Sequence, residues 1–365
     1  MAAQKVQLAA AARGAAEARG AAAARGYTMI ELMVSITIGL VILAALVTLF
    51  AGNSRERGEI ERANQQTENG RYALQLLSED LRDAGYLASF NPGTVAGPNS
   101  QLVVPATLPN PCATDVPTIN SALGLAVQGY DNGNNAPACL PADLRAGTDI
   151  LVVRRASTCA VGAAGCDPQV AGDVYLQASG CTTEFSVGTY YALDFHLGTL
   201  NLTQKDCATA ALLYQFRTHI YFIADNDKPG DGIPTLKRWE LGAAGQAGTI
   251  VPLVEGIENL QLEYGLDTSA PTTGSPAVYT ADPNTYGACA PAACVSYWRN
   301  TVAVQINILS RNQTPTQGYK DTKTYALGLT AAGVANVVGP FNDNFKRHAY
   351  STVARLNNPA GRNSP

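Results

Sequence analysis

Apolar positions are spread along this chain in three successive patterns. From Met29 to Ala51 they are nearly continuous, 23 residues with one charge, Glu31. At about 1.5 Å per residue a helix of that length covers roughly 35 Å, enough for the hydrocarbon core of a bilayer. Beyond Gly52 the residues Ile60, Ala63, Thr67, Gly70, Leu74, Leu77, Leu81 and Ala84 recur at spacings of three and four, which draws one stripe on a helix. Glu59, Glu61, Arg62, Glu68, Arg71, Glu79, Asp80 and Arg82 fall on its other faces. No proline precedes Pro92, so the pattern predicts one helix from about residue 28 to 84, ending at Gly85, with the second half laid on a globular domain.

The third pattern is short and alternating. Thr148 to Arg154, Thr189 to Phe195, Leu212 to Ala224, Thr235 to Leu241, Asn259 to Tyr264, Thr301 to Leu309, Lys323 to Leu329 and Ala349 to Leu356 alternate apolar with polar residues between Gly, Pro and Asp turns. That is the mark of antiparallel sheet, and with the long helix it gives an α+β fold. The sharpest hairpin is Tyr221 to Arg238, two strands about a loop rich in turn residues. Between helix and strands, residues 91 to 143 are rich in Pro, Gly, Asn and Ala and read as a long surface region stapled near its ends. The expected organisation is a leader over 1–26, a helix over 27–85 whose membrane segment is about 29–51, and a β-rich domain over 86–365.

Composition adds the compartment. All eight cysteines lie beyond the apolar span, and an even number there points to disulfides in an oxidising environment. Zinc is the rival, but the short spacings are C-x6-C and C-x4-C, and only His196, His219 and His348 could assist. Four bridges allow about 105 connectivities. Pairing of sequence neighbours is expected, Cys112 with Cys139, Cys159 with Cys166, Cys181 with Cys207 and Cys289 with Cys294, since each pair encloses a loop with little to bury. Basic residues flank the span equally, so the cysteines place the C-terminal domain outside the cytoplasm.

Formal net charge is −4; without residues 1 to 26 it is −7, with 21 basic and 28 acidic residues. No basic face for nucleic acid is implied. Asp225, Asp227 and Asp231 in the hairpin loop are the residues that would gather around Ca²⁺. The loop lacks the downstream Glu of an EF-hand, and Asp is an ordinary turn residue, so a turn role is the favoured reading. No G-x-S-x-G, H-E-x-x-H or phosphate-cradling glycine loop occurs, and no enzyme or cofactor is expected. His219 alternates within a strand and is expected to be packed or exposed there.

Glu31 is the unusual residue, a carboxylate near the end of an apolar span. The order Arg25-Gly26-Tyr27-Thr28-Met29-Ile30-Glu31 resembles the processing site of type IV prepilins and type II secretion pseudopilins. The resemblance implies cleavage after Gly26 by a prepilin peptidase, methylation of the new N-terminal residue Tyr27, and a Glu at mature position five. Tyr27 stands where the family usually has Phe, keeping the aromatic ring. The run Asp231-Gly-Ile-Pro-x-Leu-x-Arg238, then Pro252 to Gly265, Val302 to Arg311 and Arg347 to Val353 are similar to type IV pilus minor pilins of the PilW family. Membership implies a subunit that helps to start or cap the fibre at its tip, that binds other minor and major pilins through its helix, and that waits in the inner membrane with a periplasmic domain. A type II secretion minor pseudopilin would share leader and helix. A pilus- or membrane-anchored adhesin would place its function between residues 91 and 207, where Phe90, Tyr130 and Tyr175 are too scattered to draw an aromatic patch.

Overall fold

The computed structural model describes residues 26–92 and 102–364, so residues 1–25 of the expected leader lie outside the described residues. Helix α1 runs continuously over Met29–Asp83. By internal contacts the chain forms two units divided between Gly58 and Glu59, inside that helix.

The first unit is helix alone among the described residues. Every residue from 26 to 57 is exposed, including Met29, Val41 and Phe50. The helix is long and apolar enough here to cross a membrane. The three hydroxyls between Met29 and Ala51 are satisfied internally: Ser35 Oγ donates to the Glu31 carbonyl (2.7 Å), Thr37 Oγ1 to those of Met33 and Val34, and Thr48 Oγ1 to that of Ala45. Polar groups closed on their own backbone in this way can be tolerated in hydrocarbon.

In the second unit the same helix becomes a core element, on a line that differs from the expected stripe. Ile60 and Ala63 are exposed, and burial starts at Gln66 and continues through Gly70, Ala73, Leu77, Ser78, Asp80, Leu81 and Ala84. Two polar residues take inner positions because partners wait for them. Gln66 Nε2 donates to the carbonyls of Ser310 (2.8 Å) and Lys346 (3.0 Å), and Asp80, expected on a solvent face, is buried in an ion-pair cluster. Leu77 and Leu81, both fully buried, each contribute about 2 kcal/mol of burial. At Gly70 a Cβ would fall inside the Tyr350 ring, so only glycine allows this contact. Gly85, with φ of +72°, turns the chain at the helix end, and its N–H reaches the Arg154 carbonyl (2.8 Å).

The strands are β1 (Val127–Tyr130), β2 (Ile150–Ala156), β3 (Tyr175–Ala178), β4 (Tyr191–Asp194), β5 (Leu213–Ala224), β6 (Thr235–Glu240), β7 (Thr249–Glu255), β8 (Ile257–Leu266), β9 (Val278–Thr280), β10 (Thr301–Arg311), β11 (Tyr325–Leu329), β12 (Ala335–Val338) and β13 (Arg347–Arg355). All paired strands are antiparallel. One sheet follows the order β1-β2-β5-β3-β4, with β6 and then β7 added beside β5. The twelve-residue β5 serves both branches, pairing Leu213–Gln215 with β3 and His219–Ala224 with β6. A second sheet has the order β13-β10-β8-β9, and β11-β12 form a separate ribbon. Ala73, Leu77, Leu81 and Ala84 of α1 share one core with Val127, Leu151, Tyr221 and Ile223 of the first sheet and Leu260, Leu262, Val304 and Ile306 of the second.

The eight expected strands are present with ends shifted by a few residues. Five others, β1, β3, β7, β9 and β12, lay outside them. Most hold three or four residues, too few for a legible alternation, and β7 carries Pro252, which its edge position tolerates. The stretch expected as a stapled surface region is corrected: within its described part Leu102, Ile119, Leu123, Leu125 and Val127 are buried. There α2 (Val116–Ala122) starts at Asp115, whose carboxylate accepts from Thr118 N (2.9 Å). The remaining helices are α3 (Thr182–Ser186), α4 (Pro291–Arg299) and α5 (Asn357–Asn363). Disulfides join Cys112 to Cys139, Cys159 to Cys166, Cys181 to Cys207 and Cys289 to Cys294.

Candidate functional site

The first described residues, Gly26 and Tyr27, lie outside any helix or strand and are exposed, and α1 begins two positions later. Thr28 precedes the helix and Glu31 occupies its third position. Glu31 N donates to Thr28 Oγ1 (3.2 Å), while Glu31 Oε2 accepts from Thr28 N (3.0 Å) and from Thr28 Oγ1 (3.0 Å). This is a reciprocal capping box, which satisfies two amides that the helix start leaves open. The Thr-x-x-Glu spacing could have disclosed it from sequence. Chemically, the box fixes where the carboxylate stands: one oxygen is committed to Thr28, and the group faces outward from an exposed helix. Glu31 and the Gly26–Tyr27 bond expected to be cleaved therefore lie together at the exposed end of the apolar helix.

The second unit holds its own half of α1 by polar anchors that the spacing rules did not disclose. Asp80 Oδ1 accepts from Arg155 Nε (2.6 Å), and Asp80 Oδ2 lies 2.7 Å from His219 Nδ1 and accepts from Tyr221 OH (2.8 Å). Burial alone would raise the Asp80 carboxyl; His219 and then Arg155 hold it well below the usual carboxylate range. His219 is thus a buried partner of the helix. Further along, Glu59 of α1 pairs with Lys346 (2.7 Å) and accepts from Thr316 Oγ1 (3.2 Å). Behind these lies a network centred on Arg347, which binds Glu258, Asp321 (3.0 Å) and Asp343 (2.6 Å), while Glu258 also takes Arg145 (2.9 Å).

The three acids considered for Ca²⁺ do not converge. Asp225 pairs with Arg145 (2.8 Å). Asp231 accepts from the backbone N–H groups of Asp227 (3.1 Å), Lys228 (2.7 Å) and Ile233 (2.9 Å), the work of a turn residue. Among the described residues no three His, Cys, Asp or Glu side chains stand where they could hold a metal ion. Nor do the scattered aromatics assemble into a face, since Tyr175 and Phe90 are buried and Tyr130 is half-buried.

Comparison with known proteins meets this geometry at both ends of the chain. Residues 22–47 match the prokaryotic N-terminal methylation motif, and residues 220–358 match the family described as type IV pilus-assembly protein W, PilW. The chain thus carries a methylation motif at its start and a PilW match over much of its second half. That match spans the end of β5 through β13 and holds Glu258, Arg311, Asp321, Asp343 and Arg347, so of the charge network only Arg145 lies outside the matched stretch. Residues 48–219 lie outside both matches. A solved type IV-like pilin from Thermus thermophilus aligns at 12% identity over 81% of this chain and 96% of that one, with a TM-score of 0.32. No curated protein matches the chain. The methylation motif and the PilW match together support a role in pilus assembly.

Proposed function

We propose that this chain is a minor pilin, cleaved after Gly26, methylated at Tyr27 and inserted into a type IV pilus at or near its tip, where it initiates or caps the fibre. The observation that carries this reading is the exposed apolar helix with the Thr28–Glu31 box at its start, directly after the cleavage point. Such a helix has two resting places, a bilayer before assembly and a bundle of similar helices after it. In a bundle poor in water the Glu31 carboxylate is tolerable chiefly beside a cation, and the N-terminal amine that cleavage creates on a neighbouring pilin is such a cation. The capping box supports this role, because it leaves one carboxylate oxygen outside the Thr28 bonds. Eight bridged cysteines in the second unit support a periplasmic domain behind a single inner-membrane span.

The test separates processing from assembly. Gly26→Ala should leave the leader attached and the chain in the membrane. Glu31→Ala should be cleaved normally yet be depleted from sheared pili. Immunoblots of membranes and sheared fibres, in a strain lacking the wild-type copy, read both outcomes. Normal incorporation of the Glu31→Ala protein would remove the pairing role. Loss of a secreted enzyme with pili intact, on deletion of the chain, would instead make it a secretion pseudopilin.

A further inference from the structure

A cleft of about 300 Å³ lies where α1 ends, between the Gly85–Pro92 chain and α5, lined on the α5 side by Asn357, Asn358, Gly361 and Arg362. We propose that this cleft binds a carboxylate, held by the Arg362 guanidinium. The argument begins with what Arg362 lacks. Among the described residues it has no ion pair, and its buried Nε has no hydrogen-bond partner. The last carbonyls of the α1 end, those of Asp83 and Ala84, are taken by Asn358 Nδ2 (3.3 and 3.2 Å).

Elsewhere Arg347 is met by three carboxylates, Arg155 by Asp80, and the buried Arg154 by Gln128 Oε1 and the Leu125 carbonyl. The half-buried Arg362 has no such partner among the described residues. Burial, and after it the Arg299 guanidinium, pushes Arg362 down to about 10, the direction expected of a cation without a counter-ion. A planar carboxylate is the ligand class that a guanidinium fork meets with two parallel hydrogen bonds. Its source, resting on the pilin reading above, is an acidic side chain of a neighbouring subunit.

Melting of the detergent-solubilised full chain tests the site without assembly. Sodium acetate near 0.1 M should raise Tm by about 3 °C over sodium chloride at equal ionic strength, as binding to the folded state alone requires. Arg362→Gln should melt higher than wild type in chloride, because an uncompensated charge is gone, and should not respond to acetate. Arg355→Gln, on the exposed strand β13, should respond as wild type does. Equal acetate responses in wild type and Arg362→Gln would overturn the site, as would a larger response to inorganic phosphate overturn the carboxylate assignment. If acetate binds but Arg362→Gln enters pili normally, the site stands and a neighbouring subunit is not its source.

Discussion

Met29–Gly58 and Glu59–Asp83 are parts of one helix, yet they obey different rules. From Met29 to Ala51 the first part is apolar but for Glu31 and three hydroxyl residues, it is exposed throughout, and those hydroxyls bond to their own backbone. The second part is richly charged and half-buried, and it buries two polar side chains, Gln66 and Asp80, among Ala, Gly and Leu. Apolar content alone therefore does not tell which stretch lies inside the folded unit. What decides burial in the second part is whether each inward position finds a partner, and Asp80 finds three.

The largest test of this contrast is Asp80→Ala. Removing the acid strands Arg155 and His219 in the interior, and the loss should be about 3 to 5 kcal/mol, read by urea denaturation of a fragment beginning at Arg55. Asp80→Asn, which keeps hydrogen bonding and loses the charge, should cost less. Next in size is a matched pair of truncations on the two parts. Leu77→Ala, at a fully buried position, should cost about 3 kcal/mol. Leu43→Ala, at an exposed position, should leave the unfolding of the second unit unchanged. A comparable loss from both would erase the distinction.

The disulfides give a smaller graded test within the second unit. Cys181 and Cys207 are 26 apart, and Cys289 and Cys294 only 5. Replacing the first pair with Ser should cost about 3.5 kcal/mol and the second about 2 kcal/mol, if loop closure governs the effect. A separate test is pH, at a buried acid that lacks what Asp80 has. Asp149 accepts only from the backbone N–H groups of Asn132 (2.8 Å) and Leu262 (2.7 Å), and burial pushes it up to about 8. Its contribution to stability is therefore complete below its ordinary value near 3.8 and is lost as pH rises through about 8. The slope reaches at most about 1.4 kcal/mol per pH unit. Asp80 works in the opposite sense, its contribution being lost as pH falls below the ordinary carboxylate range. Denaturation of Asp149→Asn between pH 4 and 8 should show the first slope flattened.

These cases mark what the sequence could disclose. The apolar span, the helix continuing past it and the long strands β5, β8 and β10 rest on periodicities sustained over many residues, so they were legible. The methylation motif at the leader was legible because consecutive residues carry it. Asp80 was not, because its partners Arg155 and His219 lie 75 and 139 positions away, and nothing local distinguishes it from Glu79 beside it. The buried segment Ile119–Val127 was missed because its Gly- and Ala-rich surroundings imitate a loop, and only the neighbouring β2 reveals that it packs.

The bridges also bear on how this chain reaches its fold in time. Their members are separated by 27, 7, 26 and 5 positions, in strictly consecutive order along the chain. Delivered in chain order into an oxidising compartment, as the proposed topology implies, each cysteine would meet its correct partner before the next pair arrives. Closing short loops is fast, on the order of 10–100 ns for ten residues, so encounter does not limit the process and oxidant supply does. Most of the 105 or so possible connectivities require a cysteine to wait for one not yet delivered. Vectorial delivery thus sorts the pairs kinetically, and refolding the full-length reduced chain from denaturant forfeits that advantage.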